Sequence, residues 1–107
     1  MKRVAQVIHV RPERLDEYRA LHQAVPESVL EQLRRRHIDN YSIHLLGDRL
    51  FSYFEYHGDD FASDMAAMAA DPATQAWWKL TDPCQRPVAE AAPGEWWAAT
   101  EQVFLME

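Results

Sequence analysis

The sequence of 107 residues predicts an α+β fold in which one antiparallel sheet of four strands carries helices on one face. Three observations lead there. Apolar residues alternate or crowd as in strands from Val4 to Val10, from Asn40 to Leu46 and from Leu50 to Tyr56. The segments between and after them repeat at three- and four-residue spacing, as helices do. A last apolar stretch from Trp96 to Met106 supplies a fourth strand. The resulting order of strand, helix, strand, strand, helix, strand is the split βαβ pattern of ferredoxin-like folds.

Each element has a local reason. Val4, Val7, Ile8 and Val10 make the first strand mostly buried, and Arg11-Pro12 ends it. Pro12 suits the first turn of a helix in which Leu15, Tyr18, His22 and Val25 share one face. Pro26 interrupts that helix, and a second helical piece to about His37 buries Val29, Leu30 and Leu33, so a long helix kinked just beyond His22 is expected. Tyr41, Ile43 and Leu45 lie on one face of the second strand, and Gly47-Asp48 turns it into the third. Asp59 and Asp60 are natural N-caps for a helix of about 61–70 bearing Phe61, Met65 and Met68. Asp71-Pro72 starts a short helix containing Trp77 and Trp78. From Thr81 to Glu95 three prolines and Gly94 leave a long loop, of the length that usually serves as a lid or binding loop. Both sheet faces offer apolar residues, and a second copy of the sheet is the expected cover.

Composition narrows the function. Residues 1–107 are expected to form a single domain with one hydrophobic core. Eleven Lys and Arg against seventeen Asp and Glu give a charge of −6, which argues against nucleic acid or an anionic membrane as partner. Met1-Lys2-Arg3 leads directly into a strand pattern, so no signal peptide is expected, and no window is apolar enough for a membrane span. Cys84 is the lone cysteine, which excludes an internal disulfide and points to the cytoplasm. His9, His22, His37, His44 and His57 show no metal-ligand spacing, so no metal is expected. There is no Gly-rich phosphate loop and no nucleophile elbow.

What remains is aromatic and polar. Tyr18 and His22 sit one turn apart on an inward face, either as satisfied core or as a site where an imidazole exchanges protons. Trp77-Trp78 offers flat faces for a sugar ring, or plain core. Trp96-Trp97 opens the last strand, where alternation sends the two rings to opposite faces. Glu55, on the face bearing Phe51 and Tyr53, is a candidate for a raised pKa and a second proton-transfer role; a hydrogen-bonded structural carboxylate is the alternative.

These segments, taken in order, resemble the L-rhamnose mutarotases, small aldose 1-epimerases. The resemblance rests on Glu17-Tyr18 with His22, Asn40-Tyr41-Ser42-Ile43, Phe54-Glu55-Tyr56, Gln75 with Trp77-Trp78-Lys79, and Glu101 with Val103-Phe104. It implies a dimeric α/β barrel without a cofactor, acting on a 6-deoxy-L-hexose. It further implies His22 as proton donor and Tyr18, Tyr41, Trp77 and Trp78 as sugar-binding residues. Two segments depart from the family pattern: Val25-Pro26-Glu27-Ser28 stands where the family has a Trp-Pro-Glu run, and Leu80 to Gln85 replaces a Met-rich stretch. Both leave L-fucose as the alternative sugar. The competing readings on the same fold are a cofactor-free monooxygenase and a non-catalytic sugar-binding module.

Overall fold

The computed structural model describes residues 1–107. Strand β1 (Lys2–Val10) is followed by a 3-10 turn at Pro12–Arg14 and helix α1 (Leu15–His22). Helix α2 (Glu27–Arg35), the hairpin β2 (Ile38–Leu46) and β3 (Arg49–Tyr56), and helices α3 (Phe61–Ala69) and α4 (Pro72–Thr81) come next. A second 3-10 turn, Asp82–Cys84, leads into two short strands, β4 (Gln85–Arg86) and β5 (Ala98–Ala99). The sheet order is β2-β3-β1, and β4 and β5 share the free edge of β1, at His9-Val10 and at Gln6-Val7. All pairings are antiparallel. This is the ferredoxin-like order that the sequence predicts.

The register decides which face is core. Val4, Gln6 and Ile8 of β1 stand opposite Phe54, Ser52 and Leu50 of β3, and their face packs under the helices. Two clusters result: Ile8, Val10, Tyr18, Leu50 and Cys84 at one end, Ile38, Phe54, Tyr56 and Met68 at the other. The opposite face carries Ala5, Val7, Phe51, Tyr53 and Glu55 and stays open, with Phe51 38 % and the neighbouring Leu46 74 % exposed.

Three expectations change. The long kinked helix is two helices, because residues 23–26 unwind and Pro26 becomes the N-cap of α2 in extended backbone. The second strand begins at Ile38, and one extra residue between Asp39 and Ser42 bulges it. Asn40 takes the left-handed conformation at φ 48°, which asparagine tolerates better than most residues. The bulge leaves Ile38 and Tyr41 both on the inner face, and the Tyr41 ring lies 5.3 Å from Phe54. Finally, the strand expected from Trp96 to Met106 shrinks to Ala98–Ala99. Beyond the hydrogen bond from Thr100 Oγ1 to the Ala5 carbonyl, residues 101–107 leave the sheet and expose Val103, Phe104 and Met106.

The joint between β3 and α3 is tightly built. The Tyr56 hydroxyl donates to Asp64 Oδ2 and accepts from the Asp60 amide at 3.1 Å, while Asp60 caps α3 through the Ser63 amide. A Cβ at Gly58 would overlap the Tyr56 phenol and press on the Asp64 carboxylate. Tyr56 is 3 % exposed and cannot swing away. Gly58→Ala is therefore expected to lower unfolding free energy by about 1–3 kcal/mol, read as a shifted urea midpoint at constant m. A midpoint equal to the parent protein's would show that the joint yields without strain.

Candidate active site

The helices do not seal the inner face of the sheet. Between that face and α1, α2 and α4 lies a cleft of two adjoining lobes, of about 530 and about 490 Å³. Tyr18, His22, Tyr41 and Trp77 line both lobes. Trp78, 38 % exposed, borders only the second. The cleft thus brings together the five aromatic and imidazole residues singled out in the sequence, from α1, β2 and α4.

Helical spacing stacks Tyr18 and His22 on one face of α1, with ring centroids 4.2 Å apart. His22 Nδ1 lies 2.9 Å from the carbonyl oxygen of Tyr18. A carbonyl only accepts, so Nδ1 carries a proton, and in the neutral ring Nε2 holds the free lone pair. The edge of Trp77 meets the imidazole at 5.3 Å and limits its rotation. The ring is thereby oriented through one nitrogen and left chemically open at the other.

Tyr18 is 5 % exposed, and burial raises its phenol above the usual range, an effect that a hydrogen bond from Gln85 partly offsets. It remains a neutral hydroxyl at any ordinary pH. Tyr41 is 42 % accessible, yet protein atoms crowd its hydroxyl and also raise its pKa. Both phenols can donate and accept hydrogen bonds without ionising.

Glu55 corrects the sequence reading. Its side chain belongs to the open face with Phe51 and Tyr53, across the sheet from the cleft. Asn40 Nδ2 donates to it at 2.7 Å and the Tyr53 hydroxyl at 2.8 Å, and these bonds hold its carboxyl below the usual range. The carboxyl expected to be raised is instead lowered, and Glu55 takes the arrangement of the alternative reading, a hydrogen-bonded structural carboxylate. Asp39, Glu55 and His57 come together there, close enough to share a cation, but His57 Nε2 already meets Asp39 Oδ1 at 2.9 Å.

The carboxylate that does reach the cleft is Asp82, at the end of α4, where burial raises its pKa. Gln85 and Trp96 also line the second lobe, as does Trp97. The two tryptophans do not part to opposite faces, because they precede β5 in a bend where strand alternation does not apply. Asp82 and Gln85 sit in a stretch read as loop, and the signals for them in the sequence were its unusual length and the departure of Leu80 to Gln85 from the family pattern.

A family model described as L-rhamnose mutarotase matches residues 3–106. Proteins named L-rhamnose mutarotase resemble the chain in sequence. That of Oceanobacillus iheyensis is 30 % identical over 95 residues, covering 87 % of this chain and 88 % of the relative. That of Listeria monocytogenes is 33 % identical over 88 residues, covering 80 % and 82 %. Among solved structures, an L-rhamnose mutarotase from Formosa agariphila superposes with a TM-score of 0.78 at 19 % identity, over the whole of both chains. Tetracenomycin F2 cyclase from Streptomyces glaucescens, a type-II polyketide cyclase, gives 0.68 at 15 % identity, over 100 % of this chain and 98 % of that one. At these identities the structural likeness is one of fold.

Proposed function

The chain belongs to the L-rhamnose mutarotase family, and on that premise we propose that it interconverts the α and β anomers of L-rhamnose by acid–base ring opening and closure. The observation that carries the reading is the unengaged Nε2 of His22, next to Tyr18 in a cleft of sugar size. Protonated His22 delivers its proton to the ring oxygen as the anomeric hydroxyl loses one. The bond between ring oxygen and anomeric carbon breaks, a free aldehyde forms, and rotation exposes its other face. Closure reverses both transfers. Water or Asp82, the one carboxylate on the cleft wall, takes the second proton. Tyr18 and Tyr41 hold hydroxyls, Trp77 and Trp78 cover the apolar side of the ring, and Val29, Leu33 and Ile43 give the 6-methyl group an apolar corner. One placed acid contributes about 10²–10⁴-fold, enough for a reaction that already proceeds in water.

The test is saturation-difference NMR at the anomeric protons of L-rhamnose and L-fucose. Faster exchange for L-rhamnose is expected, with L-fucose as the comparison because Val25 and Asp82 border the cleft where the chain departs from its family. Acceleration of neither sugar would sink the reading. The lone cysteine, Cys84, is fully buried with its thiol raised to about 11, mainly by burial, and is suited to a reducing cytoplasm.

The active form is a homodimer of one-domain subunits. Support comes from the open sheet face and from the tail 101–107, which exposes Val103 to 87 %, Phe104 to 65 % and Met106 to 84 %. Side chains of this size do not stay in water when an apolar face is on offer. Sedimentation should show a dimer at micromolar concentration, and deletion of 101–107 should weaken it by about tenfold or more. A parent protein that sediments as a monomer at 100-fold higher concentration would exclude this assembly.

A further inference from the structure

Three polar groups, Tyr18 and Gln85 buried and Trp96 40 % exposed, form a directed series beside His22. Trp96 Nε1 lies 3.0 Å from Gln85 Oε1, and Gln85 Nε2 lies 3.1 Å from the Tyr18 hydroxyl. An amide can point either way, but an indole N–H can only donate. The Gln85 oxygen must therefore face Trp96, and its NH₂ must face Tyr18. The Tyr18 oxygen accepts that bond, so its own proton is turned away from Gln85. We infer that Gln85, held by Trp96, is a positioning residue that commits Tyr18 to act as a hydrogen-bond donor toward the bound sugar.

The surroundings make that commitment strict. Gln85 is 4 % and Tyr18 5 % exposed, so little solvent reaches the bond between them. The backbone of Gln85 is fixed by β4, where it pairs with Val10 of the buried cluster. The ligand atom facing Tyr18 must be an oxygen that accepts, because a donor there would leave the phenol proton buried and unpaired. This inference rests on the sugar reading of the cleft and adds to it what selects the orientation of the ring.

Gln85→Glu tests it at nearly constant volume. An ionised carboxylate accepts from Tyr18 and reverses the bond, whereas a protonated carboxyl can donate again. The KM for L-rhamnose is expected to rise about tenfold at pH 8 with a smaller change in kcat, and the gap to the parent enzyme to close as the pH is lowered. In a Tyr18→Phe background the same substitution should add less than about twofold, because the group it acts through is gone. Trp96→Phe, which keeps the ring and removes the N–H, should raise KM severalfold with no pH dependence of its own. A KM for Gln85→Glu equal to the parent's, or an equal penalty with and without the Tyr18 hydroxyl, would overturn the inference while leaving the mutarotase reading intact. A parent enzyme with no anomer exchange would remove both. Should Gln85→Glu not fold by circular dichroism, Trp96→Phe decides: a rise in KM must appear with Tyr18 present and vanish in Tyr18→Phe.

Discussion

Replacing His22 by alanine is expected to lower catalysed anomer exchange by about 10²–10⁴-fold while leaving the chain folded. The argument is geometric. Nδ1 is spent on the Tyr18 carbonyl at 2.9 Å and Trp77 closes one side of the ring, so Nε2 is the position left for a substrate. A fixed acid acts at an effective concentration that free buffer cannot match. The loss should therefore fall on kcat, with KM changed less, because the tyrosines and tryptophans remain. Added imidazole should restore part of the rate, since the alanine leaves room at the cleft. Exchange kinetics by NMR at saturating L-rhamnose read both quantities. A variant within threefold of the parent rate would remove His22 from the chemistry even if the reaction itself stands.

Ile8→Ala is expected to cost about 2–5 kcal/mol of stability, the usual range for emptying a fully buried aliphatic site. Ile8 is 0 % exposed and faces Leu50, itself 2 % exposed, in a cluster of only five buried residues. A single chain buries 17 of its 107 residues, so few neighbours can shift to refill the hole. Against a typical total of about 5–15 kcal/mol, the loss is large. The same cluster includes Tyr18. A rise in KM should therefore accompany the lower urea midpoint. A cost below about 1 kcal/mol would mean that the cluster collapses freely onto the cavity, and that Tyr18 is not held from this side.

Local chemistry made much of this protein legible beforehand. The spacing of Tyr18 and His22 on one helix face, the turn at Gly47-Asp48, the Asp60 cap and the helix start at Asp71-Pro72 are all short-range features, and each is found. The sequence likewise marked Trp77 and Trp78, because Asp71-Pro72 starts their helix whatever lies across from it. Alternation also grouped Glu55 correctly with Phe51 and Tyr53. It could not tell which face of β3 the helices would cover, and so it offered a carboxylate from the wrong side of the sheet.

The remaining decisions were tertiary. One residue inserted after Asp39 puts Tyr41 on the inner face, although period-two counting from Ile38 would point it outward. Gln85 pairs with β1 from within a proline-rich stretch that carries no strand pattern, and only that pairing brings it to Tyr18. Trp96 joins it because its backbone bends before β5. By itself the sequence determined the three long strands, the starts of α3 and α4 and the imidazole beside the phenol, since these follow from contacts within one or two turns. The folded chain alone decided that Asp82 replaces Glu55 at the cleft and that Tyr18 is turned by Gln85. The second depends on residues 67 positions apart, and no local periodicity encodes that distance.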